Sequence, residues 1–317
     1  MGEANPVANQ SQTQKYIIAG RYEVVKPLGR GGMGKVFLVL DLQTGQKLAL
    51  KLMRAQYQHN PKAIARFLRE VEAVSRLNHP CIVKIFDAKM DGEQMYYTME
   101  YVEGISVREW LMKKGSLSFG NTVRILALVA DALEHAHKVT IHRDISPDNV
   151  MVCKDGSIRL LDFGLAKLKD ASSPLTMVGA NLGKMQYCAP EQLRNAAGVD
   201  KRADIYPLGI MFFEMLVGRR PKPGDKFSSL RPDLPEQCDD FLKKAIAVNP
   251  DERFSSAKEF RDALLELYEI WKKEQENPSP IKKIMRGIRS FKGRLRGKLT
   301  SIISVFRGIG NFRKKEP

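Results

Sequence analysis

Residues Ile141–Asn149 of this 317-residue chain read IHRDISPDN and form its most informative group of polar residues. They set Asp144 directly behind a histidine and an arginine, and they set Asn149 five residues after Asp144. Thirteen residues after Asn149 the chain reads Asp162-Phe163-Gly164. Two polar motifs at this short separation, H-R-D-x-x-x-x-N and D-F-G, indicate an active site.

Length and composition are those of an ordinary globular protein. Hydrophobic residues make up 43% and charged residues 28%, so the chain can bury the core of one large domain or of two lobes. The four cysteines lie far apart without a C-x-x-C pair, which argues against a disulfide framework or a zinc site. The first residues lack the apolar segment of a secretory signal, and no apolar run reaches the ~18 residues of a membrane span. We therefore expect a cytoplasmic protein.

A glycine-rich turn between two strands is predicted near the N-terminus. A polar, disordered lead-in is expected over residues 1–20, followed by strands at Tyr22–Val25 and Lys35–Leu40. Between the strands lies the pattern G-x-G-x-x-G, formed by Gly29, Gly31 and Gly34. Glycines let backbone amides approach a phosphate, although the same pattern fits a hairpin turn with no ligand. The position between two strands, with no helix following, argues against a dinucleotide-binding unit.

Further motifs follow in a fixed order. The upstream ones are a third strand at Gln46–Met53 with Lys51, a helix over Lys62–Leu77 with Glu70, and a buried strand at Tyr96–Gly104. The downstream ones are a helix over Val123–Lys138, the motif Ala189-Pro190-Glu191, an apolar helix over Asp204–Gly218, Arg253, and a last helix over Ser256–Trp271. Taken singly, each also fits a structural role, such as an exposed strand lysine or a solvated helix glutamate.

Together these motifs resemble the eukaryotic-like, Hanks-type Ser/Thr protein kinase family, in that family's order and spacing over residues 21–272. The stretch GGMGKV at 31–36 and the absence of large insertions resemble its bacterial branch. The resemblance implies an α+β, bilobal protein kinase fold. Its small lobe, about residues 21–102, would hold five β-strands and one helix. Its larger, mainly helical lobe would span about residues 103–272.

The resemblance also implies a nucleotide site in the small lobe and the hinge. Lys51, held by Glu70, would contact the α- and β-phosphates of ATP, and Met99 would be the gatekeeper. The backbone of Glu100 and Val102 would meet the adenine. The residues implied to bind ATP are Leu28, Gly29, Gly31, Gly34, Val36, Ala49, Lys51, Met99, Glu100, Val102 and Met151. Core packing alone would also account for the apolar members of this set.

Catalytic and metal-binding roles follow from the same resemblance. Asp144 would accept or orient the proton of the substrate hydroxyl. Asn149 and Asp162 would hold Mg²⁺, with Mn²⁺ as an alternative ion. His142 and Phe163 would belong to a buried spine that links the lobes, a role that plain packing fits equally.

The charge beside Asp144 departs from the family pattern. The family places Lys where this chain has Ser146, and Thr where it has Lys184. We hypothesise that Lys184 restores the missing charge as a further catalytic residue, since an ammonium on a flexible stem can reach a phosphate from several anchors. The alternative is a solvent-exposed Lys184 and a slower enzyme. Asp148 lies where the family often has a carboxylate near the substrate peptide, which favours a basic residue before the target.

The segment between Asp162 and Ala189 resembles an activation segment. Arg143 would put a cation where a phosphorylated segment could dock. Thr176 fits the family's phosphorylated position by its distance from Gly183, and an unmodified loop threonine is the alternative. The candidate phosphorylation sites are Ser172, Ser173 and Thr176.

The basicity of the chain belongs to its C-terminal tail, residues 273–317. Twelve Lys or Arg and one Glu between residues 278 and 317 give +11 of the total charge of +16. Apolar residues recur there every three to four positions, the pattern of a basic amphipathic helix. Such a tail suits an anionic membrane surface, with docking on a partner or on its own kinase domain as alternatives. Nucleic acid is less favoured because few aromatic residues are available for base stacking.

The sequence therefore predicts an ATP-dependent Ser/Thr protein kinase that acts on protein substrates and is activated by autophosphorylation of its activation segment. We expect it in the cytoplasm, peripheral to the inner face of the plasma membrane, and dimerisation is left open. The alternative is a catalytically impaired pseudokinase that serves as a scaffold. The presence of Lys51, Asp144 and Asp162 favours the enzyme.

Overall fold

A computed structural model describes most of the chain. It covers residues 16–30, 34–53, 61–92, 94–163, 185–194 and 198–277. No helix in these ranges is long and apolar enough to cross a membrane.

A six-stranded antiparallel sheet forms most of the small lobe. Its strands are β1 Ile17–Ile18, β2 Tyr22–Arg30, β3 Gly34–Asp41, β4 Lys47–Met53, β5 Ile85–Asp91 and β6 Gln94–Glu100. They lie in the order β1-β2-β3-β4-β6-β5, and every neighbouring pair is antiparallel. The lobe therefore contains the five predicted strands and one additional short strand, β1.

Strand β1 places the start of the folded chain earlier than predicted. A disordered lead-in is predicted over residues 1–20, whereas Ile17 pairs with Glu23 and Ile18 pairs with Tyr22. Ile18 is buried in a cluster with Tyr22, Leu48 and other residues of the sheet. Burial of this side chain offsets the entropy lost when the backbone is ordered. The prediction is wrong for residues 16–20, and residues 1–15 lie outside the described ranges.

One helix, α1 (Pro61–Ser75), packs against this sheet and matches the predicted helix over Lys62–Leu77. Phe67, Val71 and Val74 are buried because they recur at helical spacing on the face toward the sheet. The small lobe thus has one helix in its described part, as the sequence predicts.

The large lobe is mainly helical. Its helices are α2 Val107–Lys114, α3 Phe119–Ala136, α4 Pro190–Arg194, α5 Ile205–Val217, α6 Phe227–Leu230, α7 Gln237–Ala245 and α8 Ala257–Glu276. A second sheet in the order β7-β8-β9 is formed by β7 Gly104–Ser106, β8 Val150–Cys153 and β9 Ile158–Leu160. The predicted helices over Val123–Lys138, Asp204–Gly218 and Ser256–Trp271 are confirmed as α3, α5 and α8 with shifted ends.

Helix α5 lies at the centre of the large lobe, since eleven of its thirteen residues are buried. Its Phe212 ring lies 5.3 Å from that of Phe227 and 5.1 Å from that of Phe241, so aromatic packing joins α5 to α6 and α7. The helix ends at Gly218, which has φ 84°. A Cβ there would lie 2.4 Å from the Gly115 carbonyl oxygen, so both the turn and the close approach require glycine.

The β7-β8-β9 sheet brings the polar motifs under the small lobe. A 3-10 turn at Pro147–Asn149 leads directly into β8. The Leu160 amide, at the end of β9, donates to the Cys81 carbonyl at 2.7 Å, and the Val83 amide donates to the Leu160 carbonyl at 3.1 Å. These bonds tie β9 to the segment before β5. They place Asp162, two residues beyond β9, at the junction between the lobes.

Candidate active site

Asp204 holds the loop that carries Asp144. Its buried carboxylate accepts from the His142 amide at 2.8 Å and from the Arg143 amide at 2.7 Å. His137 Nε2 lies 2.8 Å from the same carboxylate. Burial opposes the charged form, but the hydrogen bond from His137 and the nearby amides outweigh it and lower the pKa of Asp204. The anchor also supports Arg143 in the left-handed region at φ 63°, an unusual conformation for a residue other than glycine.

Asn149 fixes the Asp144 side chain. The Asn149 amide nitrogen donates to the Asp144 backbone carbonyl at 2.7 Å and to Asp144 Oδ2 at 3.0 Å. Asn149 is only 3% exposed, so these two bonds lie in a protected environment. The spacing of five residues predicted from the sequence therefore brings the two polar groups into direct contact.

Asp162 receives contacts from two residues of the small-lobe sheet. The Lys51 ammonium lies 2.8 Å from Asp162 Oδ2, and the Tyr97 hydroxyl donates to Asp162 Oδ1 at 2.9 Å. Lys51 lies on β4 and Tyr97 on β6, which are neighbours in register. Asp162 itself has φ 49°. The structure pairs the Lys51 ammonium with Asp162, and the Lys51–Glu70 pair stays a prediction.

Tyr97 is a site residue that the sequence reasoning missed. Its side chain is fully buried, and burial followed by the Asp162 charge raises the pKa of its hydroxyl, which keeps the hydroxyl protonated and able to donate. The sequence does contain one sign of this role. Tyr97 lies on a strand predicted to be buried, and a buried tyrosine hydroxyl needs a hydrogen-bond partner.

His142 and Phe163 are packed together, as the implied spine requires. Their ring centroids lie 4.5 Å apart. The Leu161 carbonyl lies 2.9 Å from His142 Nε2, and the Asp144 amide donates to His142 Nδ1 at 3.3 Å. A carbonyl can only accept and an amide can only donate, so these partners assign the proton to Nε2. Burial lowers the pKa of His142 and keeps the ring neutral.

Three of the apolar residues assigned to the adenine pocket lie on neighbouring strands of the small-lobe sheet, and a fourth lies on the second sheet. Ala49 on β4 pairs in register with Met99 on β6, and both are buried. Val36 on β3 pairs with Lys51, while Met151 on β8 is half-buried. This arrangement brings Val36, Ala49 and Met99 together in one sheet.

The two described glycines of the predicted phosphate loop differ. A Cβ at Gly34 would lie 2.1 Å from the Leu52 carbonyl oxygen, so the pairing of β3 with β4 itself requires glycine there. A Cβ at Gly29 would meet nothing within 4 Å. Strand pairing alone therefore explains the glycine at position 34. For Gly29 the interpretation remains that the missing side chain lets a phosphate approach. Leu28 is exposed beside it, and Gly31 lies outside the described residues.

Glu191 and Arg253, which belong to two of the downstream motifs, form an ion pair. Two parallel hydrogen bonds of 2.7 Å join the Arg253 guanidinium to the Glu191 carboxylate. The Arg253 side chain is fully buried and also donates to the Ala247, Arg202 and Val248 carbonyls. Nearby, Gln192 donates to the Arg143 carbonyl at 3.2 Å. These contacts attach the end of the activation segment to the large lobe and to the catalytic loop.

Several predicted site residues lie outside the described residues. They are Gly31, Ser172, Ser173, Thr176 and Lys184. Ser146, the proposed counterpart of Lys184, is 1% exposed, and its hydroxyl has no hydrogen-bond partner among the residues that the structure describes.

A second polar cluster lies beside the catalytic loop and was not predicted as a unit. Arg108 of α2 donates to Glu214 of α5 at 2.8 Å and to the Tyr187 hydroxyl. Its Nε lies 3.5 Å from Asp148 Oδ2. Neither Arg108 nor Glu214 stands in a recognisable motif, so only the tertiary structure identifies their contact.

The bilobal fold, with a sheet lysine on one aspartate and a loop asparagine on another, defines a phosphotransfer domain of the kinase class. The family model described as "Protein kinase domain" matches residues 22–265. The chain therefore belongs to the protein kinase domain family.

Its relatives are bacterial kinases, which confirms the resemblance to that branch. The chain is 35% identical over 275 residues to the probable serine/threonine-protein kinase PknB of Bifidobacterium longum. It is 34% identical over 258 residues to the serine/threonine-protein kinase PrkC of Bacillus subtilis. These matches cover 78% and 76% of this chain but only 40% of each relative, so the chain matches about two-fifths of their length.

A solved structure is similar over the same part of the chain. The crystal structure of the PknI kinase domain of Mycobacterium tuberculosis is 33% identical and superposes with a TM-score of 0.65. The match covers 79% of this chain and 98% of that domain. The similarity thus extends over a complete kinase domain.

Proposed function

We propose that this chain is an ATP-dependent Ser/Thr protein kinase that transfers the γ-phosphoryl group of ATP to protein hydroxyls. The observation that carries the proposal is the 2.8 Å contact between Lys51 and Asp162. It brings a cation from the small-lobe sheet onto the aspartate that follows the catalytic loop. Phosphoryl transfer needs this kind of convergence, because catalysis consists mainly of positioning and charge neutralisation.

The oxygen-rich donor set fits a magnesium ion. The Asp162 carboxylate and the Asn149 amide oxygen are hard ligands of the type that Mg²⁺ prefers, and Mn²⁺ accepts the same set. No group of three or more His, Cys, Asp or Glu that could hold a metal is found in the described part of the chain. Mg²⁺ is commonly bound by one or two protein groups together with substrate phosphates. When bound, the ion would neutralise charge on the phosphates.

We assign the remaining roles to Asp144, to Lys51 with Glu70, and to three apolar residues. Asp144, fixed by Asn149, would accept or orient the proton of the substrate hydroxyl. Lys51 would contact the nucleotide phosphates, with Glu70 as the proposed partner that keeps the ammonium in place. Val36, Ala49 and Met151 would enclose the adenine.

Incubation with γ-labelled ATP and Mg²⁺ tests this function, with Asp144→Asn as the matched control. We expect label on Ser or Thr of the chain and of an added protein substrate, and a fall of about 10²–10⁴-fold in the variant. Equal incorporation by both proteins would instead support the pseudokinase alternative. Phosphoamino acid analysis separates Ser/Thr from Tyr transfer.

We also propose activation by autophosphorylation, with Thr176 as the main site and Ser172 and Ser173 as further candidates. Support comes from Arg143, which lies in the catalytic loop and whose carbonyl accepts from Gln192 at the end of the activation segment. A phosphate on the segment would find a cation there. Equal activity and phosphate stoichiometry in Thr176→Ala and wild type would contradict this proposal.

For the tail we propose binding to an anionic membrane surface. Its charge of +11 over residues 278–317 and the recurrence of its apolar residues every three to four positions support the proposal. Co-sedimentation with anionic vesicles should require these residues, whereas neutral vesicles should leave the chain in solution. Equal pelleting of the full chain and a 1–277 truncation would favour docking on a partner or on the kinase domain.

A further inference from the structure

Arg108 uses its whole guanidinium to contact three groups beside the catalytic loop. Its Nη1 donates to Glu214 Oε1 at 2.8 Å, its Nη2 donates to the Tyr187 hydroxyl, and its Nε lies 3.5 Å from Asp148 Oδ2. The Tyr187 hydroxyl in turn donates to Glu214 Oε2. Both oxygens of the Glu214 carboxylate are therefore occupied by partners from the same chain.

Burial makes this arrangement difficult to displace. The Glu214 side chain is 7% exposed and Tyr187 is 2% exposed. Burial, together with the neighbouring Glu214 carboxylate, raises the pKa of Tyr187, so its hydroxyl stays a donor. A buried carboxylate is stable only when it is paired and hydrogen-bonded, and Arg108 supplies the charge of that pair.

The cluster lies where a protein substrate must approach. Asp148 stands four residues after Asp144 on the same loop. Tyr187 belongs to the segment 185–194, which also contacts the catalytic loop through the hydrogen bond from Gln192 to Arg143. The Arg108 side chain is 26% exposed and Asp148 is 41% exposed, so the surface of the cluster remains accessible to a peptide.

The charges of the cluster cancel before any substrate arrives. Arg108 neutralises Glu214 and lies beside Asp148, and the Arg220 guanidinium lies 5.7 Å from the centre of the Tyr187 ring. A substrate arginine would have to compete with an arginine that is already fixed in place. Asp148 taken alone favours a basic residue before the target, whereas its contact with Arg108 at 3.5 Å places a cation of the same chain beside that carboxylate.

We propose that Arg108 is a specificity-determining residue that occupies Asp148 and Glu214, so that substrates are selected without a basic residue near the target hydroxyl. The proposal rests on the proposed kinase function and names its substrate class. The favoured peptides carry neutral or acidic side chains beside the target Ser or Thr.

A peptide array in which Arg, Ala or Glu replaces each position around the target hydroxyl tests this assignment. For the wild type, we expect Arg peptides to have kcat/KM values no higher than Ala peptides at every position. Arg108→Ala should gain a preference of about tenfold for Arg at one position, the factor expected for one charge-assisted hydrogen bond. The triple variant Arg108→Ala/Asp148→Asn/Glu214→Gln should lose that gain, because both carboxylates that Arg108 contacts are then neutral. Arg124→Ala, at an exposed arginine of α3 bound to the Gly156 carbonyl, is the matched control and should keep the wild-type profile.

Thermal melting of each variant shows whether it is folded. If Arg108→Ala unfolds, Arg108→Gln replaces it, because glutamine keeps a hydrogen-bond donor for Glu214 without the charge. Arg108→Gln should show the same gain in preference for Arg peptides. If neither variant folds, the comparison of Arg and Ala peptides with the wild-type protein tests the proposal. A clear Arg preference in wild type, or folded variants with no gain, would overturn the assignment. Absence of transfer to every peptide and to the chain itself would instead count against the proposed kinase function.

Discussion

The Tyr97 hydroxyl donates a hydrogen bond to Asp162 Oδ1 at 2.9 Å. The other oxygen of the same carboxylate contacts the Lys51 ammonium, so two residues of the small-lobe sheet orient the aspartate proposed to hold Mg²⁺. Partners that orient a metal ligand commonly contribute ~10–100-fold to metal affinity. Tyr97 therefore connects the core of the small lobe to the aspartate that is proposed to bind the metal ion.

Replacing Tyr97 with Phe should weaken metal-dependent nucleotide binding by about tenfold. The ring remains buried, so the substitution removes one hydrogen bond and little packing. Calorimetric titration of ATP at stepped Mg²⁺ concentrations measures the effect without relying on turnover. Tyr96→Phe is the matched control, because Tyr96 is buried in a different cluster, which includes Tyr22. Identical Mg²⁺ dependence of the two variants would show that Tyr97 only fills space.

Lys184→Ala should lower kcat by at least about tenfold if Lys184 supplies the charge missing at Ser146. The double variant Ser146→Lys/Lys184→Thr should then recover most of the loss, because it restores the family arrangement. Single-turnover phosphorylation of one peptide measures both. A Lys184→Ala enzyme with unchanged kcat would indicate a solvent-exposed lysine.

Glu191→Gln should lower the free energy of unfolding by about 3 kcal/mol, because it leaves the buried Arg253 guanidinium without its carboxylate. Urea unfolding followed by circular dichroism provides the measurement. Asp262→Asn breaks an exposed pair with Lys258 and serves as the comparison, with an expected change below about 1 kcal/mol. If the two variants lose a similar free energy of unfolding, burial does not make the Glu191–Arg253 pair more stabilising than an exposed pair.

Stability should decrease as the pH falls below about 6.5 because of His142. Burial lowers the pKa of His142 from its ordinary value of 6.5, so below this pH the unfolded chain binds a proton that the folded chain does not. The contribution is fully present above the unfolded-state pKa and is lost as pH falls toward the folded-state value. Protonation of Nδ1 would also break its hydrogen bond with the Asp144 amide.

Urea unfolding between pH 5 and pH 8 measures this slope, which should flatten in His142→Gln. His135→Gln is the comparison, because burial and then His79 also lower the pKa of His135. If the pH dependence of stability persists in His142→Gln and disappears in His135→Gln, His135 and not His142 causes it, and the prediction is wrong.

Much of the site could be predicted from local spacing. The catalytic loop and the D-F-G motif lie close together in the chain, and Lys51 precedes them on a predicted strand, so their order along the chain already indicates a kinase-type site. The contact between Asn149 and Asp144 follows from their separation of five residues in the chain and from one tight turn between them. The long helices were also predictable, because their apolar residues recur at helical spacing.

Contacts between distant side chains could not be predicted in this way. The burial of Ile18 in one cluster with Leu48 and Tyr96 depends on strands that lie far away in the chain, which no local pattern reveals. Tyr97 appears in the sequence as one more strand aromatic, and Arg108 appears as one more helix cation. Their roles depend on neighbours from other elements.

The class of fold, the order of the motifs and the identity of the groups able to bind a phosphate all follow from the amino-acid sequence. The tertiary structure decided which of those groups meet: Tyr97 with Asp162, and Arg108 with Glu214. The difference arises because the spacing of a motif constrains only residues that are close together in the chain. The charge state and orientation of a buried carboxylate depend instead on donors that folding brings from remote segments.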